Sequence, residues 1–97
     1  MKIEVLYFEG CPNHEPTVAL VHEVLADLAL SEEVCEIEIR NSDEASTHRF
    51  LGSPSVHVDG LDVEPGARDR CDYSFSCRTY HGQGIPSREW IVAALNA

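Results

Sequence analysis

The sequence predicts an α/β fold with the element order β-α-β-α-β-β-α, a four-stranded mixed sheet carrying helices on both faces. Three observations predict it: a nearly continuous apolar run at Ile3 to Phe8, a helical period that gives way to an alternating segment at Val34 to Arg40, and an Asp59-Gly60 turn between two short runs. A strand, a helix and a second strand in that order form a right-handed crossover, so the first two strands are parallel neighbours. Each remaining apolar stripe then has to be covered by a helix.

Ile3 to Phe8 stops at Glu9-Gly10 and reads as a buried central strand, because an exposed ribbon would alternate. From His14 to about Leu30, Val18, Val21, Val24, Leu25 and Leu28 recur at three- and four-residue spacing, the mark of a helix with one buried face. Asn13 stands as its N-cap, and Pro16 falls in the first turn, where a missing N–H costs nothing. In Val34 to Arg40, Cys35, Ile37 and Ile39 share one face and Glu36, Glu38 and Arg40 the other, which suits a strand at a sheet edge. On that face Cys35 reads as a small structural hydrophobe.

Ser42-Asp43-Glu44 opens a short second helix with acids at its positive end; Gly52 marks its stop, and Phe50 and Leu51 are its buried anchors. Val56-His57-Val58 and Leu61-Asp62-Val63 flank the Asp59-Gly60 turn and form an antiparallel hairpin. Residues 64–85 are an ordered excursion: Tyr73, Phe75, Cys77 and Tyr80 are too apolar for a free linker, and Cys77 to Tyr80 can make a brief strand. Pro86-Ser87 starts a last helix in which Trp90, Ile91, Ala94 and Leu95 share a face. At 97 residues, 43% hydrophobic and 25% charged, the chain has the composition of one ordinary globular domain spanning 1–97.

Seven Lys and Arg against seventeen Asp and Glu leave a formal charge of -10, which disfavours nucleic acid and anionic membrane partners. The start lacks the pattern of a secretory signal and no run approaches the ~18 apolar residues of a membrane span, so a cytoplasmic protein is expected. In that reducing compartment Cys11, Cys35, Cys71 and Cys77 are free thiols, redox groups or metal ligands rather than a disulfide framework. No phosphate-cradling glycine loop, nucleotide fingerprint or Ser-His-Asp order is present, and no cofactor is expected. The acids at Glu32, Glu33, Glu36 and Glu38 and at Asp59, Asp62 and Glu64 read as solvated surface, as do His22, His48 and His57.

Cys11 lies where a strand ends and a helix begins. Unpaired N–H groups and the positive end of the helix dipole favour a thiolate there, as would a protonated His14, whereas Glu9 and Glu15 oppose it. An exposed, exchange-competent thiol is expected.

Gly10-Cys11-Pro12-Asn13-His14 at the head of a long helix resembles the Cys-x-x-Cys motif of the thioredoxin-like superfamily, with His14 at the second cysteine position. Gly52-Ser53-Pro54-Ser55-Val56 is similar to that superfamily's cis-proline entry into a hairpin. Tyr7 to His14, Phe50 to Pro54, Val58-Asp59-Gly60 and Cys77-Arg78-Thr79-Tyr80 further resemble small bacterial thioredoxin-like proteins of the alkylmercury lyase-like group. The resemblance implies thiol chemistry with Cys11 and His14 at the catalytic position, and Pro12, Ser53 and a cis Pro54 forming a binding surface for a thiol or disulfide substrate, small molecule or protein.

Thiol-disulfide exchange needs a second thiol to release the mixed disulfide. His14 is not one, so the role passes to Cys71, to Cys77 or to an external thiol. A soft-metal site for mercury or zinc would draw on Cys11, His14, Cys71 and Cys77. A non-catalytic binding module is the third reading.

Overall fold

The computed structural model describes residues 1–96. The strands are β1 (Ile3–Tyr7), β2 (Val34–Glu38), β3 (Ser55–Val58) and β4 (Leu61–Asp62); the helices are α1 (His14–Asp27), α2 (Ser42–Thr47) and α3 (Arg88–Leu95), with a 3-10 turn at Pro65–Ala67. The sheet order is β2-β1-β3-β4; β1 runs parallel to β2 and antiparallel to β3, and β3 pairs antiparallel with β4. The expected α/β architecture is therefore present, with β1 central and helices on both faces.

Strand alternation divides the core in two. Ile3 and Val5 of β1 and Val56 and Val58 of β3 meet Val21, Val24 and Leu25 of α1 and Ile91 and Leu95 of α3. On the opposite face Leu6 packs with Ile39, Ala45 and Phe50 under α2. Phe50 and Leu51 are buried as expected. α2 itself ends at Thr47, before Gly52: Arg49 turns left-handed (φ 57°) and the Phe50 N–H donates back to the Ala45 carbonyl, so the chain leaves the helix early and drops Phe50 into the core. Cys35 shares the inward face of β2 with Ile37, but it is exposed. β2 is an edge strand, open on its outer side.

α1 ends by the same device, three residues short of Leu30. Ala29 is left-handed (φ 55°), and the Leu30 N–H donates to the Leu25 carbonyl at 2.9 Å. Glycine is the usual residue at this position because a Cβ is strained there. Ala29→Gly is therefore expected to stabilise the protein by about 0.5 to 1 kcal/mol, the relief of strain exceeding the entropy gained by the unfolded chain. A shift of the urea midpoint to higher concentration at unchanged slope checks this.

The Asp59-Gly60 hairpin forms as predicted, both residues having positive φ (52° and 83°). α3 is capped by the Ser87 hydroxyl, which accepts from the Trp90 N–H, and Arg88 ties it to Glu23 and Asp27 of α1. Among the described residues, no helix is long and apolar enough to cross a membrane.

Candidate functional site

β1 ends in a turn in which the Cys11 N–H donates to the Phe8 carbonyl at 3.2 Å, and α1 begins three residues later. Cys11 thus sits at the strand-to-helix junction, as its sequence context predicts. It is half-buried, whereas Cys35, Cys71 and Cys77 are exposed. The expectation of a freely exposed Cys11 is corrected here, because the excursion folds over the helix start: Gly84 lies so close to Asn13 that a Cβ would come within 2.7 Å of its side-chain nitrogen. Asn13 caps α1 by position, but its side chain makes no capping hydrogen bond.

His14 is committed elsewhere. Its ring stacks on Tyr7 with centroids 3.5 Å apart, and its Nε2 lies 2.7 Å from Glu36 Oε1 on β2. Burial raises the Tyr7 phenol pKa, and the charges of Glu38, Glu36 and Glu9 add to the effect. Glu36, read from sequence as solvated surface, is the partner that draws His14 toward β2.

The excursion reaches the entry to β3 as a strap. Cys77 is paired with Ser53 in a single parallel bridge: the Ser53 N–H donates to the Ser76 carbonyl at 2.8 Å, and the Arg78 N–H donates to the Ser53 carbonyl at 2.9 Å. This one bridge replaces the brief strand expected at Cys77 to Tyr80. Contact is close enough to require glycine at position 52, where φ is 127° and a Cβ would approach Arg78 Cβ to 2.9 Å. The Ser53-Pro54 peptide is cis, as expected, and the Ser53 hydroxyl accepts from the Phe8 N–H at 3.3 Å. Between these pieces lies a cavity of about 200 Å³ lined by Cys11, Pro12, Asn13, Ser53, Cys77, Arg78, Thr79, Gly82 and Gly84.

Cys11, Pro12, Ser53 and Cys77 are therefore brought to one cavity, while His14 and Cys71 do not line it. Cys71 lies near Arg49 instead. Among the described residues, no three His, Cys, Asp or Glu side chains converge as a metal site would need, so the proposed set of Cys11, His14, Cys71 and Cys77 does not assemble. A larger cavity of about 530 Å³, between Leu20, Tyr80, Ile85, Pro86 and Trp90, contains none of the cysteines.

A buried ionic cluster anchors the strap. The Arg78 guanidinium donates to Asp62 Oδ2 at 2.7 Å, to Asp62 Oδ1 at 3.1 Å, to Glu64 Oε1 at 2.8 Å and to the Ser55 hydroxyl at 3.0 Å. It also sits over the Tyr80 ring at 4.5 Å, and the Tyr80 hydroxyl donates to the Pro54 carbonyl at 2.6 Å. Burial works against the charge on Arg78, but its bonds to Asp62 and Glu64 and the neighbouring charges outweigh that and raise its pKa. Burial pushes the Tyr80 phenol well above its ordinary value, with Arg78 opposing. Asp62, at 6% exposure, and His57, at 5%, are thus not the solvated residues expected from sequence. On the His57 and Asp62 side of the hairpin the excursion docks through Arg78 and Arg68, which donate to Asp62, a docking that no local pattern announces. The alternating acids at Asp62 and Glu64 are the legible signal; the Arg that pairs with them arrives only through the fold.

His57 lies 3.8 Å from Asp62, yet burial lowers its pKa, with Asp62 and Glu4 opposing and Arg78 and Arg49 assisting. The unfolded chain then takes up a proton that the folded chain refuses. The stability this contributes is fully present above about pH 6.5 and is lost as pH falls through the native value, at up to about 1.4 kcal/mol per pH unit. His57→Gln is expected to flatten the pH dependence of the urea midpoint between roughly pH 7 and 5; an unchanged slope would contradict a buried neutral His57.

No family model, curated protein or solved structure matches the chain.

Proposed function

We propose that the protein is a thioredoxin-like thiol-disulfide exchange protein in which Cys11 attacks and Cys77 resolves. The observation that carries this reading is that Cys11, at the strand-to-helix junction, and Cys77, on the strap, line one cavity. The strand order, the crossover helix behind Cys11 and the hairpin after Pro54 support the thioredoxin-like assignment, which the sequence motifs introduced.

In this reading the Cys11 thiolate attacks a disulfide sulfur, releasing one thiol and forming a mixed disulfide. Cys77 then attacks the Cys11 sulfur and releases the second thiol. Two electrons pass from the protein dithiol to the substrate disulfide, and an external dithiol returns the protein to its reduced state. His14 positions the junction through Tyr7 and Glu36 and does not act on the thiol. Cys11→Ser tests the reading: the variant should lose the fast phase of thiol release from a small disulfide and keep only the slow release of its other exposed cysteines.

A further inference from the structure

We propose that this site takes low-molecular-weight disulfides and excludes polypeptide ones, an inference that rests on the thiol-exchange reading above. An extended polypeptide docks beside a strand by exchanging backbone hydrogen bonds with it. Ser53, at the entry to β3, offers such groups in the cavity that Cys11 lines, and both of them are taken. Its N–H is bonded to the Ser76 carbonyl and its carbonyl to the Arg78 N–H, so the chain supplies its own occupant at the position a substrate peptide would need.

That occupant is firmly held. Arg78 is 8% exposed and tied to Asp62, Glu64 and Ser55, Tyr80 is tied to Pro54, and the Ser74 N–H donates to the Phe50 carbonyl at 3.0 Å. What remains open to Cys11 is the cavity of about 200 Å³, below the ~300 Å³ at which pockets begin to accept drug-sized molecules. A disulfide with short substituents fits that space, and a peptide chain would first have to displace Ser76 to Arg78.

The test compares two probes of matched intrinsic reactivity on the reduced full chain. One is bis(2-hydroxyethyl) disulfide; the other is a flexible ten-residue peptide whose central cysteine carries the same 2-hydroxyethyl mixed disulfide. The rate is that of wild type minus that of Cys11→Ser. The small probe is expected to react at least about thirtyfold faster, the factor that two unreplaced backbone hydrogen bonds of ordinary strength represent. Gly52→Ala, which forces a Cβ against Arg78 and Ser76, should raise the peptide rate about tenfold by loosening one of those bonds. Equal rates for the two probes in wild type overturn this inference and leave the thiol-exchange reading standing. If neither probe reacts faster with wild type than with Cys11→Ser, the exchange reading falls and the substrate inference with it. Should Gly52→Ala fail to fold, the wild-type ratio alone decides.

Discussion

Asp62→Ala is expected to destabilise the protein by about 3 to 5 kcal/mol, the range for removing one partner of a buried ion pair. Asp62 takes two hydrogen bonds from Arg78, and their side chains are 5% and 7% exposed. Without Asp62 the guanidinium keeps its charge in a largely buried site, with only Glu64, Ser55 and the Tyr80 ring around it. The large value comes from that stranded charge rather than from the net worth of the pair. Replacing both partners with apolar residues, Asp62→Leu with Arg78→Met, should therefore restore most of the loss. Urea denaturation of the three variants measures it. A change below about 1 kcal/mol for Asp62→Ala would mean a pair as screened as one on the surface, and the strap would not be anchored as described. The consequence reaches the thiol site, because Arg78 adjoins Cys77 and its N–H holds Ser53.

Single-cysteine variants should divide the exchange reaction into its two steps. Wild type is expected to release two thiols per chain from bis(2-hydroxyethyl) disulfide, one at the attack of Cys11 and one at the attack of Cys77. Cys11→Ser loses both fast steps, since the hydroxyl that replaces the thiol does not form the mixed disulfide, and keeps only the slow reaction of its other exposed thiols. Cys77→Ser releases one in the fast phase, leaving Cys11 capped by a 2-mercaptoethanol fragment that adds its mass to the chain. Cys71→Ser and Cys35→Ser behave as wild type, because neither residue lines the cavity that Cys11 shares with Cys77. The exposure order sharpens the test: Cys11 is the least exposed of the four thiols, so preferential reaction there is not an effect of access.

The sequence made most of the fold legible because its signals are local. The apolar run at Ile3 to Phe8, the helical period of α1 and the Asp59-Gly60 turn each depend on residues close in the chain, and all three appear as predicted. Helix ends were less legible. Ala29 and Arg49 terminate α1 and α2 in a left-handed conformation that sequence habit reserves for glycine, so the stops were expected too late. Of the site, Cys11 and Ser53-Pro54 were visible as motif positions. The role of Arg78 was not, because its partners Asp62, on β4, and Glu64, just beyond it, are 16 and 14 residues away in the chain and meet it only when the excursion docks. The same docking buries His57 and distinguishes Cys77, which lines the cavity, from Cys71, which does not. His14, a neighbour of Cys11 in the chain, stacks on Tyr7 and meets Glu36 of a different strand, contacts that its place in the motif does not announce.

The most direct measurement of the central claim is a peptide map of the wild-type chain after reaction with one equivalent of bis(2-hydroxyethyl) disulfide, read by mass spectrometry without reduction. One internal disulfide joining Cys11 to Cys77 is expected, with Cys35 and Cys71 alkylatable and the bond lost on addition of a dithiol. A bond from Cys11 to Cys71, or a chain whose four thiols all remain free, would contradict it.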